Sequence, residues 1–183
     1  MNIHAIILAR GGSKGIYKKN IINFLEKPLL AWTIQQCKAS SHIVDVWVSS
    51  DDDDILTVAE SYGSKIIKRP VDISGDMATS ESAWLHAVDY LSDNNIQLDI
   101  VLAPQVTSPL RETIDIDNAI TKFIAKNYDS MFSASIVNDL YFWQEINNGI
   151  ESVNYDFKKR KRRQDFKQQI IENGSFYLFK PEI

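Results

Sequence analysis

A glycine-rich, cationic segment follows directly on an apolar run at the start of the chain. Residues Ile3–Ala9 are predicted to form a buried strand, because they are a short apolar run bounded by a loop. Loop glycines can adopt positive φ and bring backbone N–H groups close to a ligand, while lysine and arginine supply positive charge. Residues 9–20 therefore predict an anion-binding loop at a strand end. Its glycines are Gly11, Gly12 and Gly15, and its cations are Arg10, Lys14, Lys18 and Lys19.

The spacing within this loop differs from that of two well-known nucleotide-binding loops. A Walker A loop needs serine or threonine after its lysine, whereas Gly15 follows Lys14 here. The dinucleotide pattern G-x-G-x-x-G does not occur in residues 9–20 either. A third kind of nucleotide loop is the better interpretation. The alternative, which the pattern alone leaves open, is a solvated basic turn after the strand.

Strand and helix patterns alternate through residues 3–136. Short apolar runs predict strands, and apolar residues at helical spacing predict helices between them. This alternation is typical of an α/β fold with three layers, in which helices cover both faces of a mostly parallel sheet. Ligands then bind beyond the carboxyl ends of the strands, where Arg10, Ser49 and Gln105 are expected. The predicted strands are Ile3–Ala9, Val44–Val48, Lys65–Lys68, Asp99–Ala103 and Ser130–Ile136. Four helices are predicted: one that starts at Pro28, one that runs from a cap at residues 49–51 to Tyr62, and the helices Glu81–Leu91 and Ile114–Ile124.

The alternation stops after Val137, and residues 138–172 are predicted to form an arm that protrudes from the core. Asn148-Gly149 between apolar-rich segments is typical of a β-hairpin. Aromatic residues on such an arm need another surface to cover them. The cationic run at residues 158–163 has an alternative interpretation as a nucleic-acid or targeting patch, but it lacks an aromatic-interleaved basic surface around it.

Composition restricts the class of protein. A chain of 183 residues is long enough for a single domain, residues 1–183, with its own core. Cys37 is the only cysteine, so no intrachain disulfide can form and the cytoplasm is the expected compartment. A formal net charge of −4 argues against nucleic acid as a partner. No signal-peptide pattern and no apolar run of the ~20 residues that span a bilayer is present, so no membrane partner is expected.

Several further blocks accompany the loop, and together they resemble the cytidylyltransferases that activate acidic sugars, in particular the CMP-acylneuraminate (CMP-sialic acid) synthetases. The resemblance extends from Ile3 to Phe179. It implies a nucleotide-diphospho-sugar transferase-like, Rossmann-type fold. It also implies transfer of CMP from CTP to the anomeric hydroxyl of a 2-keto acid sugar, an N-acylneuraminate or related nonulosonic acid, with release of pyrophosphate. The blocks are Lys68-Arg69-Pro70, Thr79-Ser80, Gln105-Val106-Thr107-Ser108-Pro109-Leu110-Arg111, Arg163-Gln164 and Asn173-Gly174-Ser175-Phe176-Tyr177.

The resemblance implies a role for each nucleotide-binding residue. Lys19 and Arg10 are the implied catalytic cations, with Lys19 stabilising the charge that develops on the α-phosphate. Arg69 is expected to bind the cytosine edge, although it could also be a surface cation, and Ser80 could also be a helix N-cap. The implied nucleotide-binding set is Arg10, Gly11, Gly12, Ser13, Lys14, Lys19, Asn20, Arg69 and Ser80.

The same resemblance implies a sugar site shared between two subunits. In similar proteins the arm embraces a second subunit, so a homodimer through residues 138–172 is expected. Arg163 on the arm is expected to reach the sugar site of the neighbouring subunit, or else to be a solvated member of the basic run. The implied sugar-binding set is Gln105, Thr107, Ser108, Arg111 and Arg163.

Mg²⁺ is the cofactor that the resemblance implies, but its protein ligands are not identified. Similar enzymes carry an Asp-x-Asp pair after the strand that contains the Asn-Gly-x-x-Tyr block, and no such pair follows Tyr177 here. The run Asp51–Asp54 is more typical of a helix N-terminus than of a metal site, and Asp115 and Asp117 also lie at a predicted helix start. Three explanations stay open: the sequence is truncated, the metal is held mainly by CTP and water, or, as a second hypothesis about function, the chain is a catalytically incomplete nucleotide-binding module.

Overall fold

The computed structural model describes residues 1–137, 141–165 and 167–182, except for the side chain of Arg163. The chain divides into two compact units, one formed by Met1–Ser133 with Gly174–Ile183 and the other by Ala134–Asn173. The described helices are α1 (Leu29–Lys38), α2 (Asp53–Ser61), α3 (Ser80–Asp93) and α4 (Thr113–Lys126), with short 3₁₀ turns at Lys19–Ile21, Val71–Ile73, Phe157–Lys159 and Arg163–Asp165. The described strands are β1 (Ile3–Leu8), β2 (Asn23–Phe24), β3 (Lys27–Pro28), β4 (Ile43–Ser50), β5 (Lys65–Lys68), β6 (Ile100–Pro104), β7 (Ser130–Val137), β8 (Trp143–Ile146), β9 (Gly149–Ser152) and β10 (Gln169–Phe179).

The central sheet has six strands in the order β5-β4-β1-β6-β10-β7. β1 pairs in parallel with β4 on one side and β6 on the other, and β4 pairs in parallel with β5. β10 is antiparallel to β6, with Phe176 opposite Pro104. The predicted mostly parallel sheet is therefore confirmed. The antiparallel direction of β10 is a feature that the alternating pattern did not predict.

Helices cover both faces of the sheet, which confirms the predicted three layers. One face carries α1, α2 and α4, whose buried residues pack with Ala5 and Ile7 of β1. The other face carries α3, whose Ala87 and Leu91 pack with Ile6 of β1. Successive residues of a strand point to opposite faces, so burial on both sides explains why β1 is a continuous apolar run.

The N-terminus of α2 lies later in the chain than predicted. Its N-cap is Asp52, whose carboxylate accepts hydrogen bonds from the backbone N–H groups of Asp54 and Ile55. The predicted cap at residues 49–51 was therefore wrong, because β4 continues through Ser50 before the chain turns. This shift leaves Asp51 outside the helix, where its side chain can contact other segments.

Cys37 lies in α1 and is fully buried. Burial raises the pKa of its thiol to about 12, so the protonated thiol behaves as a small apolar side chain. Among the described residues, no helix is both long enough and apolar enough to cross a membrane.

The second unit, Ala134–Asn173, contains the predicted hairpin. β8 and β9 pair antiparallel, with Ile146 opposite Gly149. Beside the hairpin, the ring of Tyr155 packs edge-on against the rings of Tyr141 and Trp143, at centroid distances of 4.5 and 5.7 Å. The predicted arm, residues 138–172, includes residues 138–140 and 166, which lie outside the described ranges.

Candidate active site

Two adjoining cavities lie at the carboxyl ends of β1, β5 and β6, where the alternating pattern predicted a ligand. The first, the loop cavity, has a volume of about 340 Å³ and is lined mainly by the 10–20 loop and residues 104–107. The second, the Arg69 cavity, has a volume of about 330 Å³ and is lined by Arg69 and by residues of the 73–80 segment. Leu8, Arg10 and Ser80 line both cavities, so a single extended ligand can occupy the two together.

Another cavity of this unit, of about 270 Å³, lies between α3 and the strands β7 and β10. Its walls are mainly apolar side chains, including Leu85, Val88 and Phe132, and none of the predicted site residues lines it. A charged or sugar ligand needs polar partners when it is buried. The loop cavity and the Arg69 cavity are therefore the better candidates for the active site.

The 10–20 loop is closed by hydrogen bonds between its own residues. The side-chain amide of Asn20, which is 7% exposed, donates to the backbone oxygen of Arg10 at 2.9 Å and so joins the two ends of the loop. The N–H of Ser13 donates to the oxygen of Gly11 at 2.8 Å. Lys18 adopts the left-handed conformation, with φ of 48°, and its ammonium group binds the carboxylate of Asp54 in α2. The loop is thus shaped around the cavity before any ligand arrives.

Gly11 is required by a close approach to α2 rather than by its backbone angles. A Cβ atom at this position would lie 2.6 Å from the carboxylate oxygen of Asp52 and 2.9 Å from its Cβ. The N–H of Gly11 donates to the carboxylate of Asp51 at 3.0 Å, so in this conformation it is not directed to a ligand. None of Gly11, Gly12 and Gly15 has positive φ, in contrast to the freedom that the sequence suggested.

The cations of the loop differ in what they contact. Arg10 and Lys14 both pair with the carboxylate of Asp76, at 3.4 and 2.8 Å, and Arg10 also donates to the oxygen of Gly75 at 3.3 Å. The hydrogen bond from Lys14 lowers the pKa of the Asp76 carboxyl group. Lys19 lines the loop cavity and makes no ion pair or side-chain hydrogen bond within the described part of the chain. Its ammonium group is therefore free to meet a ligand.

Arg69 is buried, with 4% of its surface exposed, and is held in the wall of its cavity. Its Nε donates to the hydroxyl of Ser74 at 2.9 Å, and its Nη2 lies 3.8 Å from the carboxylate of Asp51. Burial lowers the pKa of Arg69, and the negative charge of Asp51 opposes that effect. The alternative that Arg69 is a surface cation is excluded by its burial. A positioned guanidinium presents planar donors to a ligand in the cavity.

Ser80 lines both cavities and is the first residue of α3. The N-cap of α3 is Thr79, whose hydroxyl accepts a hydrogen bond from the N–H of Ser82 at 3.2 Å. The alternative role of Ser80 as N-cap is therefore wrong, and its hydroxyl remains near the cavities.

The loop after β6 places its predicted residues in two different environments. Gln105 and Thr107 line the loop cavity. Ser108 and Arg111 do not line either candidate cavity; Arg111 is 7% exposed and lies behind the loop. Its Nη2 donates to the backbone oxygens of Gln105 and Ser108 at 2.8 and 3.3 Å, and its Nε donates to the hydroxyl of Ser175 at 3.0 Å. Burial lowers the pKa of Arg111, which in this position supports the loop from inside.

The structure brings most of the predicted nucleotide-binding residues to these two cavities. Asp51, Ser74, Asp76 and Ser175 contact site residues and were not selected from the sequence. Asp76 had no periodic or motif signal, whereas Asp51 stood in a run that was interpreted as a helix start in preference to a metal site. The side chain of Arg163 lies outside the described residues, so its predicted role stays a prediction.

The described residues contain no preformed cluster of metal ligands. Among them, no group of three or more His, Cys, Asp or Glu side chains is arranged to hold a metal. The run Asp51–Asp54, weighed as a metal site, is already engaged. Asp51 contacts Gly11 and Arg69, Asp52 caps α2, Asp53 pairs with Lys68, and Asp54 pairs with Lys18. Mg²⁺ is often held largely by substrate phosphates and water rather than by a protein cage.

Comparison with known proteins identifies the family of this chain. The Cytidylyltransferase family model matches residues 4–177. N-acylneuraminate cytidylyltransferase A of Danio rerio is 36% identical over 186 residues, which cover 100% of this chain and 42% of that protein. Pseudaminic acid cytidylyltransferase of Campylobacter jejuni subsp. jejuni is 36% identical over 178 residues, which cover 94% of this chain and 76% of that protein. The chain therefore spans less than half the length of the zebrafish protein.

Solved structures with low sequence identity share the fold. A CMP:2-keto-3-deoxy-manno-octonic acid synthetase, solved in complex with CTP, has a TM-score of 0.76 at 13% identity and covers 100% of this chain and 75% of its own. A 4-diphosphocytidyl-2C-methyl-D-erythritol synthase has a TM-score of 0.69 at 14% identity, covering 98% and 75%. These similarities confirm the nucleotidyltransferase-type α/β architecture.

Proposed function

Because this chain belongs to the cytidylyltransferase family, we propose that it transfers CMP from CTP to the anomeric hydroxyl of a 2-keto acid sugar. In this reaction the hydroxyl oxygen forms a bond to the α-phosphorus and gives up its proton. The bond from that phosphorus to the bridging oxygen of the β-phosphate breaks, and pyrophosphate leaves with the electron pair. The acceptor is an N-acylneuraminate or a related nonulosonic acid.

The observation that carries this proposal is the pair of adjoining cavities with a cationic loop on one side and a buried guanidinium on the other. The loop cavity contains Arg10, Lys14 and Lys19, which suit a triphosphate. The Arg69 cavity suits a flat base that accepts hydrogen bonds from Arg69. Because Arg10 and Ser80 line both cavities, a nucleotide can place its base in one and its phosphates in the other.

The loop cavity also brings possible sugar contacts close to the phosphates. Gln105 and Thr107 share its wall with Lys19 and Arg10. Amide and hydroxyl groups suit a polyhydroxylated sugar, and holding it beside the α-phosphate favours attack by its hydroxyl. We assign stabilisation of the α-phosphate charge to Lys19 and Arg10, and a supporting role to Arg111 behind the 105–108 loop.

We further propose a homodimer formed through the second unit and a cytoplasmic location. Apolar and aromatic side chains of this unit are exposed in the single chain, including Trp143, Ile150 and Phe157. A two-stranded hairpin is marginal in water unless its apolar side is covered. A second copy of the chain provides that cover, and the family resemblance supports the expectation that Arg163 reaches the partner's sugar site.

The proposed function is tested by measuring pyrophosphate release from CTP with a panel of 2-keto acid sugars, with and without Mg²⁺. The expected result is release that depends on one class of sugar, with formation of the CMP-sugar in equal amount. Binding of CTP with no pyrophosphate release from any sugar would instead support the alternative, a nucleotide-binding module without turnover. Failure to bind CTP would contradict both.

A further inference from the structure

Asp76 occupies a position that the proposed reaction does not explain. It lies in the segment between the 3₁₀ turn Val71–Ile73 and α3, within a turn closed by the N–H of Ala78 and the oxygen of Gly75 at 3.1 Å. Its two carboxylate oxygens contact different cations, Oδ1 at 3.4 Å from Arg10 and Oδ2 at 2.8 Å from Lys14. Both cations belong to the loop that is proposed to bind phosphates.

The ion pairs of Asp76 lie between the two cavities of the candidate active site. Lys14 lines the loop cavity, Asp76 lines the Arg69 cavity, and Arg10 lines both. The Asp76 carboxylate therefore lies where the two cavities meet. A nucleotide that extends from one cavity to the other has to bring its own anionic oxygens to this place. Two anions cannot both pair closely with Lys14 and Arg10 without repelling each other.

The ion pairs of Asp76 are exposed enough to exchange. The side chains of Lys14 and Asp76 are 74% and 50% exposed, so water can replace either partner. Exposed ion pairs of this kind contribute little to stability, because solvent screens them. A triphosphate or pyrophosphate, with several negative charges, is a stronger partner for the same cations. The carboxylate can thus be displaced at small cost, and it can return when the phosphates leave.

From these contacts we propose that Asp76 is an internal competitor for the phosphate-binding cations. The Asp76 carboxylate holds Arg10 and Lys14 in place before the nucleotide binds. It also lowers the affinity of the site for the pyrophosphate product. The inference rests on the proposed function, since it needs phosphates at the 10–20 loop. In this proposal Asp76 tunes the affinity for phosphate, in addition to the residues that bind the nucleotide.

The test measures binding of inorganic pyrophosphate by calorimetry to the wild-type chain, Asp76→Asn and Asp72→Asn, in EDTA so that no metal contributes. Asp72 is the matched control, because it lies in the preceding 3₁₀ turn and its carboxylate accepts only from the N–H of Ile73 among the described contacts. We expect Asp76→Asn to bind pyrophosphate about two- to fivefold more tightly than Asp72→Asn, as the loss of an exposed ion pair predicts. The inhibition constant for pyrophosphate as product should fall by the same factor.

The same substitution in a Lys14→Ala chain tests whether competition for the cations causes the change in affinity. In that chain, Asp76→Asn should increase the affinity for pyrophosphate by a smaller factor, because one of the cations for which the carboxylate and pyrophosphate compete is gone. Equal affinities of Asp76→Asn and Asp72→Asn would overturn the inference and leave the proposed function standing, as long as the wild type binds CTP. Weaker binding by Asp76→Asn would also overturn it and make Asp76 a ligand contact. If neither the wild type nor Asp76→Asn binds pyrophosphate or CTP, the inference and the proposed function fall together.

Discussion

Lys19 lies on the wall of the loop cavity without a carboxylate partner among the described residues, whereas Arg10 and Lys14 are paired with Asp76. A cation that is not neutralised by the protein can respond fully to charge that develops on a substrate. Position within the loop therefore separates cations of the same type into different roles. Residue type alone does not distinguish the neighbours Lys18 and Lys19, and only the family resemblance selected Lys19 before the contacts of the two side chains were known.

Replacing Lys19 by alanine should reduce turnover much more than nucleotide binding. We expect kcat to fall by about 10²-fold or more while the Kd for CTP changes by less than about tenfold, because contacts to transition-state charge act mainly on kcat. Lys18→Ala is the matched control, since Lys18 binds Asp54 instead. Steady-state kinetics and CTP titration measure the two quantities. Equal losses in affinity and turnover would make Lys19 a simple binding residue.

Replacing Arg69 by alanine should weaken the preference for CTP over UTP. Cytosine and uracil differ in the donors and acceptors on one edge of the ring, and a fixed guanidinium can distinguish them. The ratio of kcat/KM for the two nucleotides is the measurement, because a general loss of stability cancels in it. Lys68→Ala, which removes an exposed neighbouring cation paired with Asp53, should leave the ratio unchanged. An unchanged ratio in Arg69→Ala would show that Arg69 does not bind the base.

His4 connects elements of the sheet through a buried imidazole. Its Nε2 lies 3.1 Å from the oxygen of Gln97, and its Nδ1 lies 3.3 Å from the indole Nε1 of Trp47 in β4. An indole N–H can only donate, so Nδ1 accepts and Nε2 carries the proton. Both ring nitrogens are thus used by a neutral histidine that joins β1, β4 and the segment before β6.

Acid should therefore destabilise the sheet through His4. Burial lowers the pKa of His4 below 6.5, so the folded state binds fewer protons than the unfolded state as the pH falls below that value. The contribution of His4 is present in full above pH 6.5 and is lost as the pH falls toward the folded pKa. Urea denaturation at several pH values should show a shallower loss of unfolding free energy below pH 6.5 in His4→Gln than in the wild type or in His42→Gln. Parallel curves for all three chains would contradict this role.

Sequence patterns predicted the elements of the sheet better than their ends and contacts. β5 was predicted with its observed bounds, since Pro70 and the polar loop after it limit the strand. The N-cap of α2 was misplaced, because four consecutive aspartates contain several good caps and only the end of β4 decides among them. The burial of Arg111 was also missed. Residue type indicates that an arginine can bind an anion, but only the fold shows that this one turns inward to backbone oxygens.

For the whole molecule, the central prediction is an active site that needs two chains. If Arg163 acts at the partner's sugar pocket, a mixture of Arg163→Ala and Lys19→Ala chains should regain activity, because one of the two sites in each heterodimer holds both intact residues. Each variant alone should be nearly inactive. Sedimentation first establishes that dimers form, and activity is then measured after co-refolding. A stable monomer, or heterodimers without recovered activity, would contradict the shared site.

The place of β10 in the sheet has a consequence for how the chain is made. β10 lies between β6 and β7, although both of those strands leave the ribosome before it. Until residue 179 has emerged, the edge of β6 that will pair with β10 carries unpaired backbone groups, which invite association with other strands. Pairing of segments so distant in sequence is also slow. The growing polypeptide therefore exposes this edge of β6 until β10 inserts into the sheet. Protection by chaperones matters most during that interval.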